Sequence, residues 1–401
     1  MLRPDTFALT ALLAVLTAIG PLSVDLYLPS LPEIGRVLGA GTADVQLTIS
    51  SYLIGFAAGQ IVYGPVSDLY GRRKVLLAAL VVFCLATLAC AFAPTIETLI
   101  AARTVQALGS SGAVVLARAV VRDLYSGARA GRELSLMGMI MGIAPVLAPS
   151  IGSLLQTAFG WRSCFLFVFA AGVAAFYVVW RLLPETLRHK ADDGFAWSDL
   201  LRAYGVVARH RAFLAYLALV STSFAGLFAF ISGSPFVLQE FLGLTPIEFG
   251  IAFAIASAGY VIGTMLASQF VMRAGIDRTI GLGALALCAG GLAAVATAAL
   301  VPASAAGFVL PMTLYMMGLG LAMPQALAGA LHPFPRNAGT ASSLVGFVQQ
   351  TIAALAGAVV GHLLATDAWP LVAIMALGGC LTLAIWVATR GVRAAASAKT
   401  S

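Results

Sequence analysis

Charge is scarce in this chain. Asp, Glu, Lys and Arg make up 10% of its 401 residues, against 61% hydrophobic residues, and the mean hydropathy is +0.98. A water-soluble domain needs far more polar surface, so this composition excludes one and indicates a polytopic membrane protein. Cysteine is scarcer still, with five residues. Cys84, Cys90, Cys164, Cys288 and Cys380 all fall inside apolar stretches without a Cys-x-x-Cys spacing, which reads them as small packing residues rather than disulfides or metal ligands. The four histidines (His189, His210, His332, His362) lie in loops or at span ends, none beside a Cys, Ser or acid at a catalytic spacing. No Gly-x-x-x-x-Gly-Lys-Ser/Thr run is present to cradle a nucleotide phosphate. The sequence therefore offers no enzyme site, no cofactor or metal site, and no sign of ATP as an energy source.

What the chain has in abundance is long apolar runs. At about 33 residues per helix and loop, its length accommodates roughly twelve spans of about 20 residues. The runs predict helices over 6–29, 44–63, 75–93, 97–117, 133–157 and 163–183, then 211–233, 247–272, 279–299, 304–325, 339–364 and 369–390. The first is too long for a cleaved signal sequence and is expected to remain as a span. Between the two sets lies the longest charged stretch, with Glu185, Arg188, Lys190, Asp192, Asp193, Asp199, Arg202 and Arg209. This divides the chain into an N-terminal bundle (1–183), a linker (184–210), a C-terminal bundle (211–390) and a short tail (391–401). The fold class expected is all-α, with twelve transmembrane helices in two six-helix bundles.

The net charge of +7 does not describe a nucleic-acid face, because the bases sit in short clusters between apolar runs. With both termini and the linker cytoplasmic, all of the 23 Lys and Arg residues except Arg36, Arg103 and Arg162 fall on the inner side. That is the positive-inside pattern.

The most informative short stretch is Gly64-Pro-Val-Ser-Asp68-Leu-Tyr-Gly71-Arg72-Arg73-Lys74, read as a turn between the second and third spans. Gly64 and Gly71 would allow the turn, and the acid beside three bases marks a cytoplasmic boundary. Taken alone it could be an ordinary positive-inside loop. The order Gly-x-x-x-Asp-x-x-Gly-Arg-Arg, however, resembles the signature loop of the major facilitator superfamily of secondary transporters. A weaker echo, Val271 to Arg278, stands between the eighth and ninth spans. Aligning Gly275 with Gly71 puts Met272 where Asp68 stands, so the second copy lacks the acid. Two parallel six-helix repeats with substrate bound between them are what the resemblance implies.

Three features inside the spans carry chemistry. Asp25 is the one acid placed away from the predicted span ends. A carboxylate in hydrocarbon costs several kcal/mol unless it faces a cavity, pairs or takes a proton, so it is read as functional; the plain alternative is a residue hydrated at the outer interface. Arg103 lies at a similar predicted depth, roughly 9 Å below the outer boundary, so an ion pair with Asp25 is expected. The alternative is an arginine that snorkels to water. Arg103-Thr-Val-Gln106-Ala-Leu-Gly109 resembles the superfamily's fourth-helix motif, linked to proton coupling. The third feature is Gly138-x-x-x-Gly142-Ile-Ala-Pro145-Val-Leu-Ala-Pro149-Ser-Ile-Gly152, whose glycines favour close helix approach and whose prolines favour bending. It resembles the fifth-helix motif of antiporters, with Ala144-Pro145 and Gly152-Ser153 departing from it. Tyr27, Tyr52, Phe56, Phe224, Phe228, Gln349 and Gln350 are candidates to line a central cavity, although aromatics in membrane helices more often simply pack.

The likeness narrows further. Asp25-Leu-Tyr27-Leu-Pro29-Ser-Leu-Pro32, Ile143-Ala-Pro145-x-x-Ala-Pro149, Ser232-Gly-Ser234-Pro235-Phe236-Val237 and Pro333 to Ser342 resemble the bicyclomycin-resistance/chloramphenicol-efflux (Bcr/CflA) group of bacterial drug:proton antiporters. The resemblance spans the whole length. It implies a monomer in the bacterial inner membrane, driven by the proton gradient without a cofactor, whose partners are lipid, protons and small drug-like molecules. It also implies a cytoplasmic gate of Gly64, Asp68, Gly71, Arg72, Arg73 and Arg118, with Asp68 against Asn337–Thr340. Export or exchange of one native metabolite is the alternative; a transport-dead receptor would be expected to carry an added soluble domain.

Overall fold

A chain in hydrocarbon must satisfy every backbone N–H and C=O internally, which leaves helices as the economical solution for this composition. The computed structural model describes residues 7–125, 127–187, 197–334, 338–363 and 368–398, and among these the long regular elements are all helices. The first compact unit, Met1–Phe195, contains α1 (Phe7–Asp25), α2 (Leu31–Leu38), α3 (Thr42–Tyr70), α4 (Arg72–Ala91), α5 (Ile96–Leu124), α6 (Gly127–Phe159) and α7 (Arg162–Leu182). The second, Ala196–Ser401, contains α8 (Trp197–Ala208), α9 (Arg211–Phe236), α10 (Pro246–Leu300), α11 (Ala305–Leu331), α12 (Ala338–Leu363), α13 (Trp369–Ala388) and α14 (Arg390–Ala398).

Ten helical stretches among the described residues are long and apolar enough to cross a membrane, and Ile143–Phe159 of α6 adds a shorter apolar one. The 55-residue α10 is two spans in one run, divided at Gly275, where φ is 82° and ψ is 169°. Counted so, the described helices make the twelve passes that the sequence predicts.

Three boundaries differ from expectation, each for a local reason. The first span does not end near residue 29. It breaks after Asp25, passes through a 3-10 turn (Leu28–Ser30) and continues as α2 to Leu38. Pro29 has no N–H to offer the Asp25 carbonyl four residues earlier, so a regular helix cannot run through. The expected turn from Gly64 to Lys74 is also much shorter. Gly64 to Tyr70 continues α3, Arg72 opens α4, and Gly71 alone makes the junction, with φ of 100° and ψ of 143°. Gly64 is therefore helical, and only Gly71 uses the freedom of glycine. Finally, the charged linker contains α8, whose Tyr204 hydroxyl is 3.0 Å from Ser343 Oγ of α12 and whose Val207 packs with Phe213. Arg3, Arg188, His189, Lys190, Asp192, Asp193, Arg336, Asn337 and Lys399 lie outside the described residues.

Within each unit, small residues bring helices into backbone contact, the usual source of attraction where lipid removes the hydrophobic drive. Gly55 of α3 faces the Thr104 carbonyl of α5, and Gly109 of α5 faces the Phe83 backbone of α4. In the second unit Gly259 and Gly263 face the Thr313 and Met317 carbonyl oxygens of α11. Large apolar side chains such as Leu85, Leu154, Leu310 and Leu377 remain exposed, as a lipid-covered surface requires. A Cβ at Gly263 would fall on the Met317 carbonyl oxygen. Gly263→Leu is accordingly expected to cost about 1–3 kcal/mol through overpacking. A melting temperature in detergent equal to that of the parent would contradict this seam.

Candidate functional site

The centre of the first unit is a guanidinium. Arg103 of α5 has no exposed surface, so each of its donors needs an acceptor from a neighbouring helix. Nη1 donates to the Ser23 carbonyl of α1 at 2.8 Å and to Gln106 Oε1 at 2.7 Å, and Nε points at the Thr48 carbonyl of α3 at 3.5 Å. The guanidinium carbon lies 4.3 Å from the ring centroids of both Tyr27 and Tyr52, with Phe165 of α7 at 5.8 Å. Such contacts contribute about 0.5–1 kcal/mol when exposed and about 2 or more when desolvated.

The surrounding groups are themselves held. Tyr27 Oη is 2.9 Å from Thr48 Oγ1, Tyr52 Oη is 2.7 Å from Ser110 Oγ, and Gln106 Nε2 donates to Thr87 Oγ1 of α4 at 2.9 Å. Of the Arg103 nitrogens, Nη2 finds no acceptor among the described residues.

Asp25 is buried, 4% exposed, at the last residue of α1, two residues past the carbonyl that Arg103 holds. The two side chains thus stand at a similar level, but the expected ion pair is absent. Arg103 uses a backbone carbonyl, an amide and two tyrosine faces instead, and among the described residues no hydrogen bond or ion pair engages the Asp25 carboxyl group. Here are two buried ionisable groups of opposite sign in one unit, with no ion pair between them.

The helix bearing the expected antiporter motif packs on this kink. A Cβ on Gly152 of α6 would fall on the Leu26 carbonyl oxygen, next to Asp25 in the chain, so the backbones touch there. Pro145 and Pro149 lie inside α6, and Ser153 Oγ returns to the Pro149 carbonyl at 2.7 Å. Gly138 and Gly142 fall in the same helix. Of the cavity candidates, Tyr27 and Tyr52 are committed to Arg103, and Phe56 stacks on Tyr52 at 6.3 Å. In the second unit Phe224 and Phe228 pair at 4.9 Å on α9, and Gln349 and Gln350 are half-buried on α12.

At the other end of the first unit, Arg72 is the hub of the predicted gate segment. It pairs with Asp68 at 2.5 Å and with Asp123 of α5 at 3.0 Å, and reaches Ser67 Oγ at 2.5 Å. Asp68 pairs with Arg72, itself a member of the expected gate; Asn337, at the start of the segment expected against Asp68, lies outside the described residues. Glu185, just beyond α7, accepts from the Arg72 and Arg73 backbone N–H groups at 2.9 and 3.2 Å. Its carboxylate thus caps the positive N-terminus of α4. Glu185 and Asp123 were not singled out in the sequence. The available signal was an acid following Pro184 at a cytoplasmic span end, where three bases await a counter-charge.

The second unit repeats the design with the signs exchanged. Gly275 takes up a conformation close to that of Gly71, Met272 is 85% exposed at the place of Asp68, and Asp277 receives Arg393 Nε of α14 at 2.7 Å. Arg393 also donates to the Trp386 carbonyl at 2.8 Å. Among the described residues no group of three or more His, Cys, Asp or Glu side chains could hold a metal ion.

A long kinked first helix, a buried arginine in the fourth span and a one-glycine junction between the second and third together define a secondary transporter. The chain belongs to the Major Facilitator Superfamily, whose model matches residues 13–358. It is 30% identical to a chloramphenicol resistance protein of Pseudomonas aeruginosa, over 95% of this chain and 89% of the relative. It is 28% identical to a bicyclomycin resistance protein homolog of Haemophilus influenzae, over 96% of each. These relatives agree with the Bcr/CflA resemblance. The xylose transporter XylE from E. coli superposes with a TM-score of 0.73 over 96% of this chain and 97% of its own, at 15% identity, which bears on the fold alone.

The cluster predicts a ranking of stability effects. Glu185→Ala removes a charged cap from two backbone donors and should cost about 1–2 kcal/mol. Asp68→Asn should cost at most about 1 kcal/mol, because Asp68 is half-exposed and Arg72 keeps Asp123. Denaturant titration of the two variants checks the order; Asp68→Asn as the more damaging would refute it.

Proposed function

We propose that the protein exports small, drug-like molecules in exchange for protons, as a monomer in a bacterial inner membrane with both termini in the cytoplasm. The distribution of the bases supports the orientation. The names of the two relatives support the substrate class. The observation that carries the coupling is the buried Asp25 at the break in the first span, without a hydrogen bond or ion pair among the described residues, in the same unit as a buried arginine with one donor that no described residue accepts.

In this reading Asp25 is the proton carrier. Protonation removes the charge that hydrocarbon penalises and leaves Arg103 with its carbonyl, amide and tyrosine contacts. Loss of the proton creates a carboxylate for which Arg103 Nη2, or a cationic group on the substrate, is the available partner. Proton and substrate then compete for one site, which is the linkage that exchange requires in an alternating-access cycle. The close seat of Gly152 on Leu26 passes a change at the kink to α6. By the family likeness, Gly64, Asp68, Gly71, Arg72, Arg73 and Arg118 form the cytoplasmic gate, stiffened by Asp123 and Glu185.

Asp25→Asn should fold normally, since no partner is lost, yet abolish proton-driven efflux in proteoliposomes while a drug still binds. Proton-coupled transport at the parent's rate in this variant would end the proposal. The pairing with Arg103 has its own test. In a cycle of Asp25→Asn and Arg103→Ala, stability losses should add to within about 0.5 kcal/mol, because the residues do not touch in this state. Losses in transport should not add. Additive transport losses would mean that the two never meet during the cycle.

A further inference from the structure

Two of the five cysteines meet. Cys288 in the second span of α10 and Cys380 of α13 bring their sulfur atoms to 3.5 Å, although 92 residues separate them in the chain. Both thiols are free, and both are partly exposed, whereas Cys84, Cys90 and Cys164 are buried. The approach is built into the backbone. A Cβ on Gly379 would fall 2.5 Å from the Leu287 carbonyl oxygen and 2.9 Å from the Cys288 nitrogen, and one on Gly291 would fall 2.6 Å from Ala376 Cα. Helices in backbone contact at glycine put neighbouring side chains within the Cα separation of about 4.4–6.8 Å that a disulfide needs. The cysteines sit beside the exposed Leu285, Leu292, Leu377 and Leu381, on a face that lipid covers. At about 1.5 Å per residue Cys288 lies roughly 18 Å from the Gly275 end of its span and Cys380 roughly 12 Å from the Ala388 end of α13, well inside the hydrocarbon.

We propose that Cys288 and Cys380 form a lipid-facing dithiol, a modification site that closes into a disulfide and staples the third and sixth spans of the second unit. Ordinary thiol–disulfide exchange needs a charged thiolate and a water-borne partner, and neither enters hydrocarbon. The reagent class that fits is a small, neutral, membrane-permeant electrophilic halogen, X–Y, with Y halide or hydroxide. One thiol gives its S–H bond for an S–X bond and releases HY. The second sulfur then attacks that sulfur, the S–S bond forms, and HX leaves. Two thiols supply the two electrons that reduce the electrophilic halogen to halide. The closed bridge constrains the unfolded chain across a long loop and so favours the folded unit.

The full-length protein in lipid vesicles is treated with molecular iodine, with dodecanethiol in the same bilayer to report that oxidant has entered it. After quenching, alkylation of free thiols and denaturation, trypsin places Cys288 in fragment 279–336 and Cys380 in fragment 337–390. The two fragments should run as one species without reductant and separate with it, and the count of free thiols should fall by two. Cys288→Ser and Cys380→Ser should each abolish the link, and the oxidised parent should melt several degrees above the reduced form while neither variant shows a difference. Conversion of dodecanethiol with both protein thiols still free, or a link that persists in either serine variant, would overturn the proposal. So would an unchanged melting temperature after complete linkage.

Discussion

The first unit depends on the burial of one guanidinium without a carboxylate. Removing an ion of that size from water costs several kcal/mol even after relaxation, and breaking its compensation is correspondingly expensive. Arg103 is compensated by many partial charges: the Ser23 carbonyl, Gln106, the long contact to Thr48, and the faces of Tyr27 and Tyr52. They come from three stretches of chain, so the end of α1, α3 and α5 are positioned by the same charge, with α4 joined through Thr87 and α7 through Phe165. Among the described residues Asp25 is left without an ion pair.

The cytoplasmic ends face another constraint. A helix that starts immediately after a one-residue junction has backbone donors to satisfy and a positive terminus to balance. In the first unit an acid from just beyond α7, Glu185, does both for α4, and Arg72 is left to bridge Asp68 and Asp123. In the second unit the corresponding position beyond the last span carries a base, Arg393, and the acid Asp277 is on the junction itself. The geometry is kept while the charges trade places. A net ion pair needs only one partner on each side, and the identity of the side is free to drift between two copies of a fold.

Periodicity and charge made much of this legible. Long apolar runs with bases gathered between them read as membrane helices, and the separation of α10 into two spans at Gly275 followed from the same pattern. Asp25 and Arg103 stood out because ionisable groups are rare where water is absent. Less legible was where helices end. A glycine and a proline at Gly64-Pro65 signal a turn in water, but in α3 the helix continues past both to Tyr70.

The sequence by itself determined the class of protein, the number of its spans, and which few charged groups had to be explained. These follow from the cost of placing each residue in lipid or water, which is a sum over positions and needs no partner. Only the tertiary structure decided what those groups touch. Arg103 sits between two tyrosines and not on Asp25, Arg72 bridges Asp68 and Asp123, and two thiols 92 residues apart nearly touch. Such pairings depend on helix rotation and on glycine seams that allow backbone contact. A rotation of one residue, about 100°, leaves the hydropathy of a span unchanged but replaces every neighbour it has.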